Sequence, residues 1–263
     1  LHTWERANAV QFDAGKEGFH VLSRRDPEGD DFDMLGVEWD TSLTMEREVE
    51  TLARRCYWKL RTLVRSRRFF TTPQLVQQYK SHILPYLEHA TAALYHATDT
   101  ALRKVDRVQN FFLRAAGLTK EEALLQYRLA PLSTRRDIAM LGLIHRTVLG
   151  QGPKHFQRWF RAADTRNTGY NLRSAAKAHN KQLHDFVDGT HTELLRRSAL
   201  GLPRAYNELP AQVVNNKSVK TFQRALQGLV VAALKFGQES WSTLLSPRET
   251  HILTQVVRKR RKT

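Results

Sequence analysis

A repeat of apolar residues at helical spacing is the feature that most limits how this chain can fold. A set of apolar side chains recurs at intervals of three or four residues: Met45, Val49, Leu52, Cys56, Leu60 and Leu63. In an α-helix this spacing places all of them within a sector of about 80°. Because such a stripe has to be buried, the pattern predicts a helix packed on a hydrophobic core.

The opposite side of this predicted helix is basic. With Leu52 as the origin, four arginines lie roughly 160° to 220° away and a tryptophan at about 240°. Between residues 51 and 87 the chain has eight Lys or Arg and no Asp or Glu, whereas a solvated helix face usually mixes both signs. Guanidinium groups bind phosphates and aromatic rings stack on bases, so we predict sequence-independent nucleic-acid contact rather than a solvated face. The predicted contact residues are Arg54, Trp58, Arg61, Arg65 and Arg68, with Lys80 as an addition.

The charge is unevenly distributed along the chain. There are 42 Lys and Arg against 26 Asp and Glu, which gives a formal net charge of +16. The first 50 residues contain 13 acidic and 5 basic residues, whereas residues 51–263 contain 13 acidic and 37 basic residues. This excess predicts a polyanionic partner, with nucleic acid as the first candidate and an anionic membrane surface as the second.

Cysteine usage and hydropathy bear on the compartment. Cys56 is the single cysteine, so an internal disulfide is excluded. The longest apolar run, 229–234, is far shorter than the roughly 20 residues of a membrane-spanning helix, and we expect no signal peptide. A nuclear or cytoplasmic protein that is not secreted is therefore expected. Because the chain begins at Leu1 rather than Met, we also expect an upstream portion.

The N-terminal region is predicted to contain short strands, and the rest is predicted to be helical. The strand-length segments are 10–12, 19–22 and 32–39, which Gly, Pro and Asp separate. The expected class is therefore mainly α, of the α+β type. After the first helix, a second is expected to begin at Thr72-Pro73 and to kink at Pro85, and a third to span Asp99–Ala116 before Gly117. A capping box of Thr119 and Glu122 predicts the start of a fourth, and a fifth is expected to follow Ser133 and to stop at Gly150. Two later helices are expected after Ser218 and after Ser246.

The stretch Gly29-Asp30-Asp31 spells the metal-binding turn of many polymerases. Such a turn needs two apolar flanking strands and a further aspartate well upstream. Here the preceding residues are S-R-R-D-P-E, and Pro-x-Gly-Asp-Asp is typical of a surface turn. We therefore predict that Asp30 and Asp31 bind no metal. The spacing of the histidines matches no standard zinc site either, so no metal site is predicted.

The segments around this turn form a recognisable pattern. Trp4, Asn8, Phe12, Asp13 and Lys16 spell W-x-x-x-N-x-x-x-F-D-x-x-K, and Leu35-Gly36-Val37 follow after a variable loop. These segments resemble the closing part of the palm of a non-LTR (LINE-type) retrotransposon reverse transcriptase. In that family the first pattern follows the catalytic Tyr/Phe-x-Asp-Asp turn, and an L-G-V strand comes next.

The resemblance continues downstream. Residues 68–89 resemble the thumb helices of the family, with Tyr-Lys-Ser, Leu-Pro and Leu-Glu in order, although His89 stands where Tyr is commoner. Residues 108–117 resemble a Val-Gln-x-x-x-x-Arg segment beyond the thumb, and A-P-L-S-T-R-R-D and Y-N-E-L-P match later pieces. The implied organisation is a palm remnant with short strands (1–40), a thumb-like helical domain (41–97), post-thumb helices (98–162), a polar linker or loop (163–190), a C-terminal helical region (191–257) and a basic tail (258–263).

The resemblance implies a role in holding primer and template for an RNA-directed DNA polymerase. The catalytic aspartates would lie upstream, so the chain alone is expected to be inactive and to carry no cofactor, with Mg²⁺ needed only by the complete polymerase. Lys16 maps to a residue thought to protonate the departing pyrophosphate, and Leu35 and Gly36 map to the primer-grip strand. The implied partners are an RNA or DNA primer–template and the upstream palm and fingers, with no membrane and no small-molecule ligand.

Two other functions fit the same residues. The chain could be a stand-alone basic helical scaffold that binds RNA or DNA. It could also be a protein-interaction module in which the charge serves solubility. A Phe/Tyr-x-Asp-Asp turn encoded shortly upstream of Leu1 would favour the reverse transcriptase over both.

Overall fold

The computed structural model describes residues 2–9, 11, 13, 15, 18–163, 179–187 and 192–248. Within them the protein is mainly helical with one two-stranded antiparallel sheet, which confirms the expected fold class. In this part of the chain, no helix combines the length and the apolar character needed to cross a bilayer. The helices are α1 (His2–Asn8), α2 (Glu46–Arg65), α3 (Thr72–His82), α4 (Leu84–Glu88), α5 (Thr91–Leu94), α6 (Asp99–Ala116), α7 (Lys120–Tyr127), α8 (Leu132–Val148), α9 (Thr192–Arg197), α10 (Leu202–Asn207), α11 (Ala211–Val214) and α12 (Val219–Lys235).

The sheet is a hairpin of β1 (Phe32–Met34) and β2 (Val37–Trp39), in which Phe32 lies opposite Trp39. Leu35 and Gly36 form its two-residue turn, with φ angles of 56° and 76°. Positive φ at both central positions is the geometry that lets a two-residue loop follow the twist of its strands. The prediction of one continuous strand over 32–39 was therefore wrong, because the chain reverses at Leu35-Gly36.

The other predicted strands are largely absent from the described residues. Of segment 19–22, only Val21 forms a bridge, with Glu28. Residues 10 and 12 lie outside the described part, and the region before them is the helix α1. Segment 19–22 therefore contributes much less sheet than its composition predicted, and the prediction for segment 10–12 lies largely outside the described residues.

A first hydrophobic core lies between α2, α3, α4 and α6. The apolar face predicted for α2 is confirmed, because Val49, Leu52, Cys56 and Leu60 are all buried. Burial also raises the pKa of the Cys56 thiol to about 11, as expected for a core residue rather than a nucleophile. This core continues past residue 97, the predicted end of the thumb-like region, because α6 packs along α2 and contributes to it.

Capping signals in the sequence correctly predict the start of α7 and both ends of α6. Helix α7 begins at the predicted capping box, in which the Thr119 amide donates to Glu122 (2.8 Å) and the Glu122 amide donates to Thr119 (3.1 Å). Helix α6 has the predicted bounds and ends at Gly117, whose φ is +68°. At α3, Thr71 rather than Thr72 is the N-cap. Instead of kinking α3, Pro85 lies in the first turn of the separate helix α4.

A second core lies between α8, α10 and α12. Its largest fully buried side chains include Tyr206, Phe222 and Ile144. Residues 179–187, predicted to be part of a polar linker, pack on this core through Leu183, and Val187 is buried as well. The remaining predicted linker residues, the basic tail and most of the helix predicted after Ser246 lie outside the described part of the chain.

Two buried tyrosines provide a matched test of these cores. The Tyr79 hydroxyl is buried without a hydrogen bond to any described residue, whereas the Tyr95 hydroxyl donates to Asp137 at 2.5 Å. We expect Tyr79→Phe to leave the free energy of unfolding unchanged or to raise it by up to about 1 kcal/mol. We expect Tyr95→Phe to lower it by about 1–3 kcal/mol, because a buried carboxyl group loses its donor. Urea unfolding of both variants measures the difference, and equal shifts in one direction would contradict the two assignments.

Candidate nucleic-acid interface

The exposed face of α2 carries the predicted basic surface. Arg54, Arg61 and Arg65 are all exposed, and the Trp58 side chain between them is 63% exposed. Their positions follow from helical periodicity, since the buried stripe of α2 lies on the opposite side of the helix. Helix α2 ends at Arg65, so Arg68 lies in a short 3-10 turn over Arg67–Phe69, where it is exposed but is not positioned by the periodicity of α2. We call Arg54, Trp58, Arg61, Arg65 and Arg68 the arginine face.

None of the four arginines of this face forms an ion pair with another described residue. Other arginines do, for example Arg136 with Asp106 at 2.8 Å. The Arg61 guanidinium lies 5.7 Å from the Trp58 ring centroid, within the range of a cation–π contact. The face therefore presents cations whose charge the neighbouring described residues do not neutralise.

The acidic residues of α2 lie before the arginine face. Glu48 is buried and accepts a hydrogen bond from the Glu38 amide at 3.2 Å. Glu50 is exposed, but its carboxylate pairs with Lys104 of α6 at 3.0 Å. Residues 51 to 87 contain no Asp or Glu, so no acidic side chain of this segment offsets the positive potential of the surface.

An apolar cleft of about 680 Å³ opens between α2 and α4 next to the arginine face. Trp58 lines it on one side, and Pro85 and the half-exposed Tyr86 line it on the other. Arg55 and Lys59 are also part of its wall, and the Lys59 ammonium lies 4.2 Å from the Tyr86 ring centroid. Sequence reasoning identified Trp58 but missed Arg55, Lys59 and Tyr86, because α2 and α4 meet only when the Pro85 break turns α4 alongside α2.

Lys80 does not extend the arginine face as predicted. Its ammonium donates a hydrogen bond to the Tyr127 carbonyl at the end of α7, and the side chain is half-buried. Burial, and then the charges of Arg135 and Arg128, lower the pKa of Lys80. The reason is tertiary: α3 packs so that residue 80 reaches α7.

The resemblance to the palm assigned roles to Lys16, Leu35 and Gly36. Lys16 lies outside the described residues. Leu35 and Gly36, predicted on the primer-grip strand, lie instead at the hairpin tip, where the Leu35 side chain is 97% exposed.

The Gly-Asp-Asp stretch has a local structural explanation. Gly29 has a φ of +84°, and a Cβ at this position would lie 2.6 Å from the Phe19 carbonyl oxygen. The glycine is therefore required by the turn itself. The Asp31 carboxylate lies 3.8 Å from the Arg47 guanidinium, which also pairs with Glu38 at 2.9 Å. Over the described ranges, no three His, Cys, Asp or Glu side chains converge in the way a metal site requires.

Comparison with models of protein families, with curated proteins and with solved structures gives no match. The function of this chain is therefore inferred from its own side chains and from the order of its motifs. Unpaired cations and exposed aromatic rings occur side by side on the arginine face and in the cleft beside it. This combination suits a ligand with repeating negative charges and flat rings.

Proposed function

We propose that this chain binds nucleic acid through the arginine face of α2, as the primer–template-binding part of a LINE-type reverse transcriptase. The observation that carries the proposal is the set of four exposed arginines beside an exposed tryptophan, none of which forms an ion pair with a described acidic residue. Keeping several like charges together on one surface is unfavourable unless water or a polyanion screens them. A sugar–phosphate backbone supplies negative charges at regular intervals along such a surface.

The mode of binding follows from the chemistry of the side chains. Each arginine offers a planar fork of donors that matches two phosphate oxygens. Trp58 and Tyr86 offer ring faces on which an unpaired base can stack, whatever its identity. Contacts of these two kinds fix the position of a strand but do not read its sequence. The chain would therefore hold many primer–templates with similar strength.

The resemblance of the motifs gives this binding its context. A palm remnant, a thumb-like bundle and post-thumb helices, in that order, would place the arginine face on the thumb, beside the duplex that leaves an active site. On this proposal Lys16 and the Leu35-Gly36 tip belong to the palm side. The catalytic aspartates would come from upstream sequence, together with the Mg²⁺ ions that they bind.

Binding to primer–template is the experiment that tests the proposal. Two fluorescently labelled RNA–DNA hybrids of unrelated sequence, each with a single-stranded overhang, are titrated with the protein at low salt. We expect similar affinities for both hybrids, within about threefold, because phosphate contacts dominate. Failure to bind either hybrid at any salt concentration would contradict the proposal and favour the protein-interaction alternative.

Catalysis by this chain alone provides a separate prediction. We expect no incorporation of nucleotides onto a primer in the presence of Mg²⁺, because the aspartates that hold the two ions in this family would lie upstream. The measurement is primer extension on a gel, with a complete reverse transcriptase as the positive control. Product that depends on the metal and on this protein would overturn the assignment of the chain as a non-catalytic part.

One observation favours a second candidate function. The cleft between α2 and α4 is lined mainly by apolar surface, including Leu52, Pro85 and Trp58, which also suits a partner protein. In that case Trp58→Ala and Tyr86→Ala would weaken a protein complex while the affinity for oligonucleotides stayed the same. The proposed nucleic-acid contact predicts the opposite result.

A further inference from the structure

A second basic region lies away from the arginine face, in a cleft of about 360 Å³ between α8 and α12. Arg135 on α8 and three residues of α12, Lys220, Gln223 and Arg224, contribute to its walls. Gln223 and Arg224 lie three and four positions after Lys220, so both lie on the same side of the helix as Lys220. This cleft was not identified from the sequence, because its two walls are 85 residues apart along the chain.

The acid–base balance inside the cleft is positive. Glu88 is the only acidic residue among those that line it. Its carboxylate is already held by Arg135, which donates from Nε and, at 3.1 Å, from Nη2. Lys220 and Arg224 are exposed, and neither forms an ion pair with another described residue. Two cations of α12 therefore line the cleft without an ion-pair partner in the part of the chain that the structure describes.

The surroundings add further positive charge. Lys80 of α3 lies close enough to Arg135 and Arg128 for their charges to lower its pKa. The amide of Gln227 on α12 donates to the Arg128 carbonyl at 3.0 Å, which ties the end of α7 to this side of the cleft. Arg135, in the wall of the cleft, therefore lies close to the cation of Lys80, which also lies close to Arg128. Repulsion between neighbouring cations opposes folding, and a bound anion would relieve it.

Gln223 adds a neutral hydrogen-bond donor, its side-chain amide, to the residues that line the cleft. Gly142 of α8 lies under Gln223, and a Cβ on this glycine would lie 2.4 Å from the Gln223 amide nitrogen. The glycine therefore permits the close approach of Gln223 to α8. An amide donor beside an exposed lysine and an exposed arginine is a combination that accepts phosphate oxygens.

We propose that the cleft between α8 and α12 binds a phosphate group of a nucleic-acid backbone, as a second contact separate from the arginine face. This inference rests on the proposed function, since it assigns a further part of the same polyanion. Arg224 binds the phosphate through its planar fork, Lys220 acts as a point charge, and Gln223 donates from its amide. The contact contributes affinity without sequence preference.

The test is the salt dependence of oligonucleotide binding by the double variant Lys220→Gln/Arg224→Gln. The control is Lys217→Gln/Lys235→Gln, which removes the same charge from two exposed positions that do not line the cleft. For a labelled single strand, we expect the cleft variant to bind about tenfold more weakly. We expect its plot of log affinity against log salt to be shallower by roughly 0.7 than that of the wild type, because one phosphate contact to a single strand is lost. The control should change both quantities much less.

The outcomes distinguish failure of the cleft assignment from failure of the proposed function. If the cleft variant and its control have the same affinity and the same salt dependence, the cleft assignment is wrong. The proposed function still holds in that case, provided that charge reversal in the arginine face abolishes binding. If neither surface affects binding, both fall. A third arm uses inorganic phosphate at constant ionic strength. If phosphate raises the melting temperature of the wild type only, and oligonucleotide affinity is unchanged in the variant, the cleft binds free phosphate and the nucleic-acid assignment is wrong.

Discussion

Reversing two charges of the arginine face, Arg61→Glu with Arg65→Glu, is expected to weaken oligonucleotide binding on the order of a hundredfold at low salt. The reason is twofold: two phosphate contacts are lost, and two carboxylates now repel the strand. Both side chains are exposed on α2 and pair with no described acid, so the folded protein loses no ion pair. Fluorescence anisotropy with a labelled hybrid measures the change, and circular dichroism checks that the protein stays folded.

A matched control separates this effect from the net charge of the protein. Lys154→Glu/Lys235→Glu introduces the same change of charge at two exposed positions outside the arginine face. The long-range field predicts a modest loss for this control, whereas specific contacts predict a much larger loss for the α2 variant. Comparable losses in the two variants would show that binding depends on the overall charge and not on this face.

The second large effect is expected in the other core, at His145. This side chain is fully buried, and its ring stacks on Phe222 with 3.9 Å between centroids. Its two nitrogens lie 3.0 Å from the Tyr206 hydroxyl and 2.8 Å from the Asn216 carbonyl, so Nε2–H donates to the carbonyl and Nδ1 accepts from the hydroxyl. His145→Ala leaves a cavity and removes the partner of the buried Tyr206 hydroxyl and of the part-buried Asn216 carbonyl. We expect the free energy of unfolding to fall by about 3–5 kcal/mol.

The same residue predicts a pH dependence with a definite sign. Burial, with a smaller contribution from Lys181, lowers the pKa of His145, so the folded protein keeps the ring neutral where the unfolded chain takes up a proton. Stability from this group is therefore complete above about pH 6.5 and is lost as the pH falls below it. The pKa of His179 is lowered by burial too and acts in the same direction. Burial raises the pKa of Asp137 to about 7, which acts in the opposite direction.

Comparing the wild type with the variant isolates the histidine. The difference in free energy of unfolding between the wild type and His145→Ala should narrow at about pH 5 compared with about pH 8, since the contribution of the neutral ring is lost in acid. The exposed residue His155 provides the control, and His155→Ala should change stability little at either pH. A difference between wild type and His145→Ala that widens in acid would contradict the assigned neutral tautomer.

Much of the first core could be predicted because its signals are local. The buried stripe of α2, the bounds of α6 and the capping box of α7 each depend on residues within one or two helical turns. Helical periodicity and hydrogen bonding to nearby amides determine such features whatever the rest of the chain does. The exposure of Arg54, Trp58 and Arg61 follows from the same periodicity, so this part of the candidate site could also be predicted.

The features that sequence reasoning missed depend on contacts between distant segments. The hydrogen bond from Lys80 to Tyr127 spans 47 residues, and the cleft between α8 and α12 joins segments still further apart. The turn at Leu35-Gly36 was missed for another reason. Apolar residues on both sides of it continue a strand pattern, and a leucine at positive φ is uncommon, so hydropathy alone concealed the reversal. The break at Pro85 was noticed, but its result, a separate helix beside α2, depends on packing.

The most direct test of nucleic-acid binding by the arginine face is the slope of log affinity against log salt for a duplex. Four arginine–phosphate contacts predict a slope of roughly −3.6 or steeper for the wild type, and a slope shallower by roughly 1.8 for Arg61→Glu/Arg65→Glu. A wild-type slope near zero, or the same slope in a folded double variant, would contradict the account.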